Sequence, residues 1–312
     1  MNTTSGSDTG WTQAPERSNL AILRLMVWIS LRLGRSVGRI VLHGIAAYFL
    51  AFAPTARRAS RDYLRRVLGR EPTLADCYRH VLAFASTIHD RVYLVNERFD
   101  LFDIEIVGEQ AIRDAMAHGG EGQGVLLMGA HLGSFEVMRA LGRQREDKAI
   151  SMMMYEENAR KINATLAAIN PAAVQDIIAL GRMDSMLQAK EKLDAGNFVG
   201  MLADRAIGKN AGNDPTHSVN FLGAPAPFPV GPFRVAAMLR RPVLFMTGLY
   251  LGGNRYRIHF EPLADFSSVE RAGRDAAIAE AQQQYVARLE RFCREAPYNW
   301  FNFFDFWKGR AS

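Results

Sequence analysis

Cysteine is nearly absent: Cys77 and Cys293 are the only two in 312 residues, and neither belongs to a CxxC or a Cys/His cluster. That excludes a disulfide scaffold and a structural zinc site, and it fits a reducing compartment. The seven histidines are scattered, which argues against a histidine-rich metal centre, so neither metal nor bound cofactor is expected. Also missing are a GxSxG elbow, a GxxxxGK[ST] phosphate loop and an HExxH zinc helix. A glycine cluster exists (Gly119, Gly120, Gly122, Gly124), but it precedes the strand that starts at Val125. A dinucleotide fingerprint follows its strand and opens a helix, so this cluster reads as a turn. No internal repeat is present, and no apolar run is long enough to span a bilayer. The longest, Ile40 to Pro54, falls short of the roughly 20 residues required.

With 48% hydrophobic and 22% charged residues, the chain is ordinary globular material, long enough for one catalytic domain and an appendage. Its charge is unevenly placed. Residues 1–70 hold eleven arginines, no lysine and three acids, so this end is strongly basic while the remainder is slightly acidic. A one-sided charge of this kind points to an anionic partner at that end. The same end is apolar from Leu20 to Phe52. At about 100° per residue, Arg24, Arg32, Arg35 and Arg39 fall within an arc of about 80°, opposite Leu20, Leu23, Val27, Leu31 and Ile45. Such a helix is expected to lie in an anionic membrane interface rather than cross it, its alternative being a helix that covers the rest of the fold. The chain therefore divides into a flexible terminus (1–19), a basic amphipathic region (20–70) and a catalytic domain (71–312).

Within the last region, apolar strands alternate with helical segments. Strands are expected near residues 101–107, 125–130, 150–155, 198–203, 243–251 and 256–260. Helices are expected over 74–97, 110–118, 135–145, 159–169, 183–195, 233–239 and 272–294. This alternation predicts an α/β fold, with a largely parallel central sheet covered by helices, and chemistry at the carboxyl ends of the strands.

The most informative stretch is Val125-Leu-Leu-Met-Gly-Ala-His131-Leu-Gly133-Ser134-Phe-Glu136. His131 closes a buried strand. Five positions on a regular helix are about 140° apart, so His131 and Glu136 meet only if the chain bends between them, with Gly133 as the bend. A carboxylate on the ring would fix its tautomer and make His131 a general base for a hydroxyl or amine. Equally, Glu136 caps a helix and His131 closes a turn.

HLGSFE resembles the HxxxxE form of the HxxxxD/E motif of the lysophospholipid acyltransferase superfamily, and most of all the late (lauroyl and myristoyl) acyltransferases of lipid A biosynthesis. Two further segments are similar to that family in the same order: Gly200-Met-Leu-Ala-Asp204-Arg205 and Phe221-Leu-Gly223-Ala-Pro225-Ala. Arg182 falls where the family tends to carry an arginine. The resemblance implies a lysophospholipid acyltransferase-like fold and transfer of an acyl chain from an acyl carrier protein or coenzyme A thioester to a membrane lipid. It makes His131 the base and Glu136 its holder, and it implies that Asp204, Arg205, Arg182, Gly133, Ser134, Phe221, Gly223 and Pro225 contact substrate, the last three by shaping the floor of an acyl tunnel. It further implies the cytoplasmic face of a bacterial inner membrane; nucleic acid is not expected as a partner, because the basic helix is too apolar for a solvated DNA-reading element. A thioester hydrolase using the same pair, or a non-catalytic membrane-binding protein, stands as the alternative.

One departure is the tail. Residues 298–307 (Tyr-Asn-Trp-Phe-Asn-Phe-Phe-Asp-Phe-Trp) are mostly aromatic where the lipid A enzymes are basic. This resembles a side branch of acyltransferases from aryl polyene and glycolipid pathways, and it implies a less anionic acceptor or a flat, bulky acyl chain. Two readings stay open for the tail: a core strand in which Asn299, Asn302 and Asp305 satisfy one another, or a surface that touches substrate.

Overall fold

A computed structural model describes residues 16–118, 123–138, 150–170, 177–205 and 215–307, with side chains from Val27 onward except at 118, 157, 159 and 161. The glycines at 119, 120 and 122 and the first fifteen residues lie outside them, and residues 16–19, expected to be flexible, are helical.

Three helices come first: α1 (Glu16–Phe52), α2 (Pro54–Leu68) and α3 (Leu74–Val95). Pro54 opens α2, where its missing N–H costs nothing, and Gly69 closes it in the left-handed region. Thr73 and Asp76 form a capping box that starts α3. There follow β1 (Asp103–Val107), α4 (Glu109–His118), β2 (Leu126–Gly129), a helix α5 described over 135–138, β3 (Ile150–Tyr155), α6 (Glu156–Ile169), β4 (Ile177–Leu180), α7 (Ser185–Asp194) and β5 (Phe198–Leu202). The hairpin β6 (Thr216–Phe221) and β7 (Ala224–Pro229) precedes α8 (Gly231–Leu239), β8 (Pro242–Tyr250), β9 (Arg255–Asp265) and α9 (Arg274–Glu295).

Seven strands form one sheet in the order β1-β9-β8-β2-β5-β3-β4. Every pairing is parallel except β8 with β9. The fold is therefore α/β with a mostly parallel central sheet flanked by helices. β2 is buried along its whole length, as its unbroken apolar run requires. The short strand β4 and the β6–β7 hairpin carry too little periodicity to stand out in the sequence. On one face α9 packs Tyr285, Leu289 and Phe292 into a core that also receives Tyr63, Leu64 and Val67 of α2.

The arginine stripe expected along α1 does not form. At Gly34 the backbone leaves the helical region (φ 82°, ψ 170°), so one helical wheel cannot be drawn through Arg24 to Arg39. Beyond the kink, Arg35 and Arg39 share a face with the buried Leu42 and Ala46 and turn inward. Arg35 clasps the buried carboxylate of Asp90 through Nε and a terminal nitrogen (2.8 and 2.9 Å). Arg39 reaches the Tyr250 hydroxyl and the Gly253 carbonyl (both 2.9 Å). It is the apolar side that is left outside: Trp28, Leu33, Ile40, Tyr48 and Phe52 are all more than half exposed. Among the described residues no single helix is long and apolar enough to cross a membrane. The pair Val27–Phe52 and Pro54–Leu68, bent by 96°, has the length and composition only when taken together.

Candidate active site

His131 sits one step beyond the end of β2, and parallel pairing decides what it meets. β2 runs beside β5 with Leu126 opposite Val199 and Gly129 opposite Leu202, and the Ala203 N–H continues the ladder to the Gly129 carbonyl. Two residues further along the same register, His131 arrives beside Asp204. The ring Nδ1–H donates to Asp204 Oδ1 (2.8 Å), and the His131 backbone N–H donates to Oδ2 (3.1 Å). Nδ1 being engaged, Nε2 is the nitrogen that remains to accept a proton.

The loop after His131 is tied down on two sides. Gly133 adopts φ +71°, and a Cβ there would lie 2.0 Å from the Gly248 carbonyl, so glycine is required. The Ser134 N–H donates to that same carbonyl (2.7 Å), and the Thr247 hydroxyl donates to the Leu132 carbonyl (3.0 Å). From the other side comes the aromatic tail: the Gly133 N–H donates to the Asn299 carbonyl (2.8 Å), and the Phe301 N–H donates to the His131 carbonyl (2.9 Å).

Asp204 is fully buried. Burial alone would raise its carboxyl, but the His131 ring, the Arg205 guanidinium and the Trp300 indole outweigh this and hold it well below the ordinary carboxylate range. Burial lowers His131, and Arg205 adds to the effect, while Asp204 opposes both; the net shift is downward. A neutral imidazole near pH 7 follows. Arg205 is itself lowered by burial, against the pull of Asp204. One of its terminal nitrogens donates to the Phe301 carbonyl (3.4 Å), its guanidinium lies 5.2 Å from the Phe304 ring centre, and its buried Nε has no hydrogen-bond partner among the described residues.

His131 opens on a cavity of about 600 Å³. Its walls are largely apolar, with Phe84, Phe135, Met152, Met154, Leu202 and Phe303 among them, and besides His131 its polar lining includes Thr55, Thr87, Arg91, Ser134, Glu136 and Arg205. An apolar chamber with a few polar groups and a histidine held by a buried carboxylate has the general form of an enzyme site. A sequence model of the bacterial lipid A biosynthesis acyltransferases matches residues 14–309. The chain belongs to that family. It is thus an acyltransferase of lipid-like substrates, the order of whose motifs was legible before the fold was known. No curated protein matches it.

Several of the residues expected to serve this acyltransferase are brought together, and others are not. His131, Gly133, Ser134, Glu136 and Arg205 line the cavity, with Asp204 directly beneath His131. The carboxylate on the imidazole Nδ1 is, however, Asp204 and not Glu136. Glu136 stands in the first turn of α5, nearly buried, 3.4 Å from Arg91. Arg182 lies outside the cavity lining, exposed, and pairs with Asp184 at 3.4 Å. Phe221, Gly223 and Pro225 are not the floor of this cavity. They belong to the β6–β7 hairpin, where Phe221 is fully buried against Trp300, Phe306 and Trp307, and Gly223 makes the turn at φ +81°. Pro225 instead lines a second cleft, of about 790 Å³, with Arg58, Arg61, Arg65, Arg66 and Trp307.

The tail divides residue by residue between its two readings. Trp300 and Phe306 are core, whereas Phe301, Phe303 and Phe304 reach the cavity. It is not a strand; a single bridge joins Trp300 to Leu132. Asn299 serves the backbone of Tyr250, accepting from its N–H (2.7 Å) and donating to its carbonyl (3.1 Å), and Asn302 donates to the Phe304 carbonyl (2.9 Å). The three-residue recurrence of Asn299, Asn302 and Asp305 therefore does not mark a mutual network. Sequence reasoning missed Trp300 and Arg91 as members of the site; neither belongs to a local motif that would flag it.

Proposed function

We propose that the protein transfers a fatty or aryl-polyene acyl chain from an acyl carrier protein or coenzyme A thioester to a hydroxyl or amine of a membrane lipid. The observation that carries this reading is the His131–Asp204 pair at the wall of an apolar cavity. His131 Nε2 takes the proton of the acceptor hydroxyl or amine as its oxygen or nitrogen attacks the thioester carbonyl. A tetrahedral intermediate forms, the C–S bond breaks, and the imidazolium returns the proton to the departing thiolate. Asp204 keeps the tautomer and stabilises the imidazolium while it lasts. Arg205, cationic and incompletely bonded, is the group we assign to the developing oxyanion. Glu136, paired with Arg91 on the same wall, is assigned to the acceptor side. No acyl-enzyme is needed, since the deprotonated acceptor is itself the nucleophile.

The cavity meets the helical region at Phe49 of α1 and at Thr55 and Ala56 of α2, beside the exposed apolar face that ends in Phe52. An apolar face of this kind suits a lipid surface, so the acceptor would enter from the membrane, on the cytoplasmic side of a bacterial inner membrane. With Arg35 and Arg39 engaged inside the fold, the basic surface offered to an acidic carrier protein is that of the exposed Arg32, Arg58, Arg61 and Arg65, the last two shared with Glu71. The test is mass spectrometry of lipid extracts from cells with wild type, His131→Ala, or neither. A species one acyl unit heavier, present with wild type alone, is expected and would identify acyl group and acceptor together. Identical profiles with both proteins folded would overturn acyl transfer to lipid.

A further inference from the structure

We propose that Trp300 is a positioning residue of the catalytic pair, its indole N–H fixing the Asp204 carboxylate in the rotation that meets the His131 ring. The proposal rests on the reading of His131 as general base. A carboxylate with one hydrogen bond can turn about its Cβ–Cγ bond. Here Oδ2 receives two N–H groups, the Trp300 indole and the His131 backbone (both 3.1 Å), so Oδ1 is presented to Nδ1 at 2.8 Å.

Trp300 is in turn immobile. It is fully buried, with Tyr63, Phe221 and Phe306 packed edge-on at 5.0, 5.2 and 4.9 Å between ring centres. Its carbonyl accepts from His80 Nε2 (2.9 Å), whose Nδ1 accepts from the Ser60 hydroxyl (2.8 Å). Its two neighbours, Asn299 and Phe301, make the hydrogen bonds that strap the His131 loop. A single segment thus fixes both the backbone that carries the base and the carboxylate that orients it. A buried indole needs some acceptor, so packing alone would account for a bond to Asp204. What separates the two accounts is whether His131 responds when the donor is removed.

Burial, Arg205 and Asp204 set the His131 shift; the other titratable or charged groups nearby are Arg91 and Glu136 in the cavity lining, and Tyr285 and Cys293, which interact with Asp204. Taking the indole N–H from Asp204 leaves the carboxylate less satisfied and more attractive to a proton on the imidazole. His131 then titrates higher.

The experiment uses the full chain, with the His131 ring followed by NMR as pH varies and acyl transfer measured over the same range. Trp300→Phe is expected to raise the His131 titration by about half a unit, to move the acid limb of kcat/KM with it, and to lower kcat about tenfold with KM within about twofold. Phe306→Leu, which loosens the same aromatic cluster without touching a polar group, is expected to leave the titration in place. Should Trp300→Phe fail to fold, benzothienylalanine at position 300 keeps the bicyclic shape and replaces the N–H by sulfur. An unmoved titration in the folded variant, or an equal shift in Phe306→Leu, would overturn the proposal. A shifted titration in a protein without acyl transfer would support the Trp300–Asp204–His131 coupling and overturn the acyl-transfer reading instead.

Discussion

Two buried aspartates, Asp90 and Asp204, have nearly the same surroundings and, on the proposed reading of His131, opposite uses. Each is fully buried, and each accepts three hydrogen bonds. Asp90 takes two from Arg35 and one from the Tyr256 hydroxyl (2.8 Å); Asp204 takes two from His131 and one from Trp300. The difference lies in the partner. Arg35 is permanently charged and also bonds the Gly253 carbonyl, so the pair is closed and pins α1 to α3 and to the β8–β9 turn. His131, held neutral by burial, can gain and return a proton, and it lines a cavity. A buried carboxylate is therefore not a site by itself. It becomes one when the group it holds can titrate and has somewhere to send the proton.

The comparison breaks most sharply on substitution of each carboxylate. Asp204→Asn should lower kcat by about 10³-fold, because the ring loses the acceptor that fixes its tautomer, and should also cost stability, since Arg205 is left buried beside a neutral group. Asp90→Asn should act on stability alone: a loss of about 3–5 kcal/mol, since Arg35 is left buried against a neutral partner, with acyl transfer per folded molecule nearly unchanged. Kinetics and urea unfolding on both variants decide it. Equal loss of activity in the two would mean that the Arg35–Asp90 pair holds α1, which lends Phe49 to the cavity, in the position that activity requires.

Much of the fold could be read from the chain, because apolar runs such as Val125–Ala130 and Val243–Leu251 carry their own periodicity. His131 and Asp204 were also legible as standing just past strand ends, and Gly133 as a bend, and the structure puts them there. What could not be read was which carboxylate meets the ring. Glu136 is five residues from His131 and Asp204 is far away in sequence, but the parallel register of β2 and β5 sets Asp204 beside His131. The stripe of α1 failed for a related reason: a helical wheel assumes an unbroken helix, and Gly34 breaks it. Trp300 was invisible as a site residue because its partner is known only once the tail has folded back over the His131 loop.

A smaller effect comes from the polar layer beneath Trp300. Burial lowers His80 to about 4, against the hydrogen bond to the Trp300 carbonyl, which raises it. Above the ordinary histidine value of about 6.5 neither state is protonated, so stability is intact there. As pH falls from about 6.5 to about 4, the unfolded chain gains a proton that the folded one refuses, and stability drops by about 3 kcal/mol before levelling off. His80→Gln should flatten that slope in urea titrations at pH 7 and pH 4.5. An undiminished slope would assign the acid sensitivity to the other histidines that burial lowers, His89, His131 and His259.

The smallest effect is expected at Arg182, and it sharpens the comparison from the outside. Its guanidinium is exposed, its partner Asp184 is two residues away, and neither lines the cavity. An exposed pair between charges this close in sequence is worth about 0–1 kcal/mol, because water screens it and both side chains give up rotamers to make it. Arg182→Ala should therefore change stability by less than about 0.5 kcal/mol and kcat/KM by less than about twofold. Arg35→Ala, the removal of a guanidinium from a buried carboxylate, should cost several times as much. A large rise in KM for Arg182→Ala, with kcat unchanged, would mean that the arginine reaches substrate when the complex forms. The separation of closed pairs from working ones would then have to admit a third kind, the surface pair that opens to bind.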